Sequence, residues 1–164
     1  MVYLLDANVF IQAKNLHYGF DFCPAFWDWL EKQNAAGKVF SIEKVEDELI
    51  AGNDDLATWA KAQGTAFFLR PDTAVLPFFG QVSAWVKAQQ YDPAAIYTFE
   101  QVADYYLIAQ ALAQNAMVVT HEVPANTRKK IKIPNVCIGL NVKHMTPFEM
   151  LRREGAKFVL GRNS

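Results

Sequence analysis

Cysteine is scarce in this sequence. Cys23 and Cys137 are the only two among 164 residues, and their separation matches no zinc-binding or redox spacing. A disulfide framework is thereby excluded, and two reduced, buried thiols are expected. Long apolar runs are also missing. None approaches the ~18 residues that a membrane span needs, so no membrane association is expected. The opening, Met1 into Val2-Tyr3-Leu4-Leu5-Asp6, lacks a basic region followed by an apolar stretch, which points to a cytoplasmic protein. The three histidines, His17, His121 and His144, show no metal-ligand spacing. A GxSxG elbow, a P-loop, a GxGxxG turn and an HExxH helix are all absent, which sets aside the chemistries those motifs serve.

What is present is apolar and aromatic. Hydrophobic residues make up 52%, aromatics 13% and charged residues 20%, a mix that folds rather than stays disordered. The length suits a single domain over residues 1–164. The net charge of −1 hides an asymmetry. Residues 1–100 carry 7 Lys/Arg against 13 Asp/Glu, whereas residues 101–164 carry 9 against 4, so the basic C-terminal third is suited to meet a polyanion.

Short apolar runs at Val2–Leu5, Val39–Ile42, Ala66–Leu69 and Met117–Thr120 read as strands, with Val136–Leu140 as a fifth. None alternates cleanly, as expected of a parallel sheet covered on both faces. The segments between them read as helices. One is opened by Pro24 and closed by Gly37, a second carries Ile42, Val45 and Leu49, and a third covers Leu56–Gln63. A further helix covers Val82–Gln89 after Pro77 and Gly80. Thr98-x-x-Gln101 has the form of a capping box opening a helix from Phe99 to Gln114, and Thr146-Pro147-Phe148-Glu149 opens the last, which Gly155 ends. The alternation predicts an α/β fold with a central, mainly parallel sheet of four to five strands between helical layers. Residues 71–97, rich in aromatics, read as an added helical layer or a partner surface.

Four acids stand out. Asp6 follows the first strand, and Glu122 follows the strand at Met117–Thr120; the carboxyl ends of strands in open α/β sheets border the ligand crevice. Asp104 shares a helix face with Leu107, Ile108 and Ala111, where an acid is disfavoured unless paired or bound to a metal. Glu48 belongs to the run Glu43, Glu46, Asp47, Glu48, most of which should be a solvated face; its place beside Leu49 turns it inward. Glu100, one turn before Asp104, either shares the site or is solvated. Simpler roles exist for each: a helix cap for Asp6, a buried Lys or Arg partner for Asp104. Together, such carboxylates would repel unless a cation neutralised them, and all-oxygen ligation suits Mg²⁺ or Mn²⁺ rather than zinc. Asn8 and Thr120 are placed to orient the acids from outside the ligand shell.

Laid in order, Leu5-Asp6-Ala7-Asn8-Val9-Phe10, Val45-Glu46-Asp47-Glu48-Leu49, Asp104-Tyr105-Tyr106-Leu107-Ile108-Ala109-Gln110-Ala111 and Val118-Val119-Thr120-His121-Glu122 resemble the PIN-domain nucleases over residues 2–140. The resemblance implies a PIN-like three-layer α/β/α fold and assigns the family's acidic positions to Asp6, Glu48, Asp104 and Glu122. It further implies metal-dependent endoribonuclease activity leaving 5′-phosphate and 3′-hydroxyl ends. A narrower likeness, to members whose genes neighbour a DNA-binding antitoxin, implies a toxin–antitoxin role, an antitoxin partner and a homodimer. Two departures are visible. The last acid, commonly Asp, is Glu122, and the further acid that often follows it is missing from Val123-Pro124-Ala125-Asn126. One ion rather than two is therefore expected.

Arg128, Lys129, Lys130 and Lys132 follow Glu122 and would hold an RNA backbone beside it. Tyr105 or Trp27 would stack bases if they face the cleft, and otherwise pack the core. The competing readings are a non-catalytic PIN-like module that binds RNA or a protein, and an aspartate-based phosphatase. The latter usually needs a second Asp two residues after the first, where this chain has Asn8.

Overall fold

Three bulky residues in a row, Tyr3-Leu4-Leu5, can be hidden only if both faces of a strand are covered. In the computed structural model, which describes residues 1–161, all three are buried. They form β1 (Tyr3–Leu5), the middle of a five-stranded sheet with β2 (Val39–Ile42), β3 (Phe68–Leu69), β4 (Met117–Val119) and β5 (His144–Met145). The order is β3-β2-β1-β4-β5. Every pairing is parallel, with Leu5 opposite Val119 in the register that matters most below. The expected α/β class, with helices flanking a central sheet, is thus what the chain adopts.

The connecting helices follow local signals. α1 (Ala7–Gln12) starts immediately after β1 and continues as a π-helical turn over Ala13–His17. α2 (Pro24–Ala35) begins with the proline in its first turn, where the missing N–H costs nothing. α3 (Glu43–Ala51) buries Val45 and Leu49, and α4 (Asp55–Gln63) is capped by Asp54, whose carboxylate accepts the Ala57 N–H at 3.0 Å. α9 (Pro147–Arg153) is capped by Thr146, which accepts the Glu149 N–H at 3.2 Å; Gly155, at φ +68°, follows its end.

Several sequence expectations need correction. Val136–Leu140 is not a strand but the body of α8 (Ile133–Leu140). Pro134 sits in its first turn, Asn141 closes it in the left-handed conformation, and Ile133, Val136 and Cys137 bury one side at helical spacing. The helix expected from Phe99 to Gln114 is two helices, α6 (Pro93–Gln101) and α7 (Ala103–Gln114). Val102 breaks them with an extended backbone, and Thr98 lies inside α6 rather than capping anything. α5 (Leu76–Ala88) starts before Pro77 and takes Gly80 into its body. In the acidic run of α3, Glu46 is buried rather than solvated and pairs with Arg70 at 3.0 Å; Arg70 also holds Glu43 at 2.8 Å.

Residues 76–101 form the added helical layer: α5 packs on α6, α7 and α8. At Gly139 of α8 the Trp85 indole comes close to the backbone, and a Cβ there would collide with the ring. Gly139→Ala therefore sets a helix-propensity gain of ~1 kcal/mol against an overpacking cost of about 1–3 kcal/mol. The collision wins because the ring is rigid, and a fall in melting temperature of a few degrees is the expected result of thermal unfolding.

Candidate active site

The strand order makes a crevice at β1 and β4. From β1 the chain moves outward to β2 and β3, and from β4 it moves the other way to β5. Connections therefore diverge above the carboxyl ends of these two neighbours, the position where open α/β sheets bind ligands. The next residues on the two strands are Asp6 and Thr120. The Asp6 N–H donates to the Val119 carbonyl at 2.9 Å, its Oδ1 accepts the Ala7 N–H at 2.7 Å, and its Oδ2 accepts the Thr120 hydroxyl at 2.8 Å. Asn8 braces the same strand end. Its amide donates to Thr120 Oγ1 at 3.4 Å, and its Oδ1 accepts the His121 N–H at 3.2 Å. Thr120 Oγ1 also accepts the Glu122 N–H at 3.1 Å. Asp6 is only 4% exposed, so this network fixes the direction of a nearly buried carboxyl group.

The other acids come from separate segments and feel one another. Burial raises the Asp104 carboxyl to about 8, with Asp6, Glu122 and Glu48 adding repulsion and Lys130 offsetting part of it. Burial likewise raises Asp6 to about 7; the Thr120 hydrogen bond opposes this, while Glu122 and Glu48 add to it. Glu48 stands at the exposed rim, where partial burial raises its pKa and the Ala103 N–H at the start of α7 holds it back. Glu122 has a buried Oε1 with no hydrogen-bond partner among the described residues. Glu100 is not a member of this group: it accepts the Ser83 hydroxyl at 3.3 Å and faces Lys87 at 3.8 Å.

Whether such a set suits a metal is a question of donors and charge. As placed, and among the described residues, no three His, Cys, Asp or Glu side chains stand in position to hold an ion. The chemistry of the set nevertheless fits a hard divalent cation. Its donors are carboxylate oxygens, their mutual repulsion asks for a positive charge, and one buried oxygen is unpaired. Asp6, Glu48, Asp104 and Glu122 are the residues that would hold it.

A cleft of about 500 Å³ opens beside Glu48 and Asp104, walled by α6 and by Lys129, Lys130 and Ile131. The basic loop is therefore divided. Lys129 and Lys130 line this cleft, whereas Arg128 turns to Gln90 at 2.9 Å and lines a separate hollow with Tyr91 and Asn126. Lys132 is the residue preceding α8. The two aromatics considered for stacking pack instead. Trp27 is buried, its indole donating to the Tyr18 carbonyl at 2.7 Å, and Tyr105 donates to the Phe79 carbonyl at 2.8 Å. Cys137 is buried, its thiol pushed up to about 12 by that burial, and Cys23 is half-buried; both are free.

Spacing in the sequence carried no sign of one feature. His17 and His121, 104 positions apart in the chain, bring their rings to 5.6 Å, and both rest on Phe148. Only the fold, which carries the π-helical turn after α1 over the end of β4, could have revealed this pair.

Comparison with known proteins agrees with this architecture. A family profile described as "Domain of unknown function (DUF4411)" matches residues 3–158. No curated protein matches by sequence. A solved structure described as the crystal structure of VapBC2 from Rickettsia felis bound to a DNA fragment from their promoter is similar in fold, with a TM-score of 0.53 and 15% identity. The match covers 89% of this chain and 98% of that one. At that identity the likeness is one of fold alone.

Proposed function

The chain belongs to the DUF4411 family, and we propose that it is a Mg²⁺- or Mn²⁺-dependent endoribonuclease, the toxin of a toxin–antitoxin pair. One arrangement carries the reading: Asp6 and Glu122 follow the ends of the adjacent strands β1 and β4, Glu122 keeps a buried Oε1 unpaired among the described residues, and Asp104 and Glu48 from two further segments line the neighbouring cleft. An acid cluster of this kind destabilises a fold unless it serves a ligand. The resemblance of the four motifs to PIN-domain nucleases, and a fold shared with a VapBC2 structure, supply the class of reaction and of partner. The antitoxin and the homodimer rest on that resemblance.

When bound, a divalent ion supplies polarisation of a phosphoryl oxygen and a water acidic enough to attack it. The chain's own groups do the rest. Thr120 and the Ala7 N–H fix both oxygens of Asp6, so this acid enters with its direction already set. Asp104 and Glu122 would complete the ligand set, and Glu48, open to solvent, would join it or orient the water and accept its proton. Lys129 and Lys130, which line the same cleft as Glu48 and Asp104, would hold the phosphate chain in line. The expected products carry 5′-phosphate and 3′-hydroxyl ends.

Purified protein, labelled RNA and Mn²⁺ or Mg²⁺ test the reading. Cleavage that survives both EDTA and the Asp6→Asn/Asp104→Asn double substitution would overturn it. Toxicity on induction, abolished by Asp104→Ala, is the expected cellular result. Replacing Lys129 and Lys130 by Gln is expected to weaken RNA binding without changing the cut sites. The slope of log affinity against log salt should fall by ~0.7 per lysine removed, measured by fluorescence anisotropy in EDTA. The lack of a ready three-ligand arrangement among the described residues favours one rival, a non-catalytic RNA-binding module. Calorimetry with Mn²⁺ separates the two, since the rival binds RNA but no ion.

A further inference from the structure

α6 presents one face to the cleft. Ala94, Ala95, Thr98 and Phe99 of α6 line it, joined by Val102 just past the helix end and by Ile131 of the basic loop. This wall is largely apolar, two alanines with Phe99, Val102 and Ile131, whereas Glu48 and Asp104 bring acids and Lys129 and Lys130 bring cations to the same cleft. A phosphate alone has no use for such a wall. The volume, about 500 Å³, lies within the ~300–1,000 Å³ range of sites that enclose a small molecule. A flat ligand with apolar faces, a polar edge and an attached phosphate matches all of these features.

Thr98 is the distinctive residue. Its sequence signature is that of a helix cap, yet it sits within α6 with its side chain exposed, and its hydroxyl makes no hydrogen bond among the described residues. A hydroxyl offers both a donor and an acceptor, and this one is the uncharged hydrogen-bonding group on the cleft lining.

We infer that the α6 wall is a base-binding subsite, receiving the nucleobase of one nucleotide next to the scissile phosphate, and that Thr98 reads that base's edge. The inference rests on the nuclease reading above. A base must leave any duplex to enter, so unpaired strands are the substrates this wall selects.

Short labelled ribonucleotides test it. In a scan with one abasic position moved along a hexamer, a single position flanking the cut is expected to weaken binding in EDTA by about tenfold, the worth of one buried apolar ring face. At that same position Thr98→Val should narrow the spread between best and worst base by about fivefold, the effect of one neutral hydrogen bond. Preferences elsewhere and Mn²⁺ binding should be unchanged. The position is exposed, so the near-isosteric valine leaves the fold intact, which thermal unfolding checks. A flat abasic scan, or an unaltered base preference in Thr98→Val, overturns the subsite while the wild-type protein still cuts RNA. A wild-type protein that neither binds nor cuts RNA overturns the nuclease reading, and this inference with it.

Discussion

Asp104→Asn is expected to lower Mn²⁺-dependent RNA cleavage by on the order of a thousandfold, comparable to the loss of a principal electrostatic group from an active site, while making the metal-free protein more stable. The two effects share one cause. Asp104 lies near the start of α7, where a negative charge is normally welcome at a helix N-terminus. Burial and the charges of Asp6, Glu122 and Glu48 outweigh that benefit and push its carboxyl up to about 8. An amide of the same shape removes the repulsion without opening a cavity, and it also removes an anionic ligand. Cleavage rates and thermal unfolding of the same preparation check both halves. Activity within tenfold of wild type would remove Asp104 from the machinery. A lowered melting temperature in EDTA would show that the carboxylate has a structural partner instead.

Much of the fold was legible because it depends on local signals. Pro24 and the Thr146–Glu149 cap mark helix starts where the chain makes them, and unalternating runs such as Tyr3-Leu4-Leu5 announce a sheet buried on both faces. Errors arose where two local signals conflict and tertiary packing decides. Val136–Leu140 is as apolar as a strand, but Pro134 and Asn141 bracket it as a helix against α5 and α7. Thr98-x-x-Gln101 spells a cap, but Pro93 had already opened that helix. At the site, Asp6 and Glu122 are readable from strand ends and Asp104 from its apolar neighbours. Glu48 is not readable this way: burial in α3 goes to Glu46, which Arg70 neutralises, and Glu48 is set apart only by facing Ala103 of a helix more than fifty residues later. The His17–His121 contact and the division of the basic loop are likewise consequences of chain paths that no spacing encodes.

The acid cluster also fixes how stability varies with pH. In the unfolded chain these carboxyls titrate near the ordinary aspartate value of 3.8, whereas the folded Asp6 and Asp104 keep their protons until about 7 and about 8. Between those limits the native state binds more protons, so stability must fall as pH rises. Glu48, raised by burial, adds to the same downward slope, and the remaining shifted groups act outside a window from pH 6.5 to 8.5. Asp54 and Glu154, whose pKa values are lowered, lose their contribution only in acid. His121, lowered from 6.5 by burial and by His17, has its effect below that value. Cys137 acts only above 9. In EDTA the melting temperature should therefore drop by about 5 °C across this window, a few kcal/mol spread over a chain of this size. Saturating Mn²⁺ should raise the whole curve and flatten it, because binding replaces those protons, and its affinity should grow with pH for the same reason. The Asp6→Asn/Asp104→Asn protein should show neither the slope nor the Mn²⁺ shift. If instead that variant is stabilised by Mn²⁺ as strongly as the wild type, the ion is held elsewhere and the four acids are not its site.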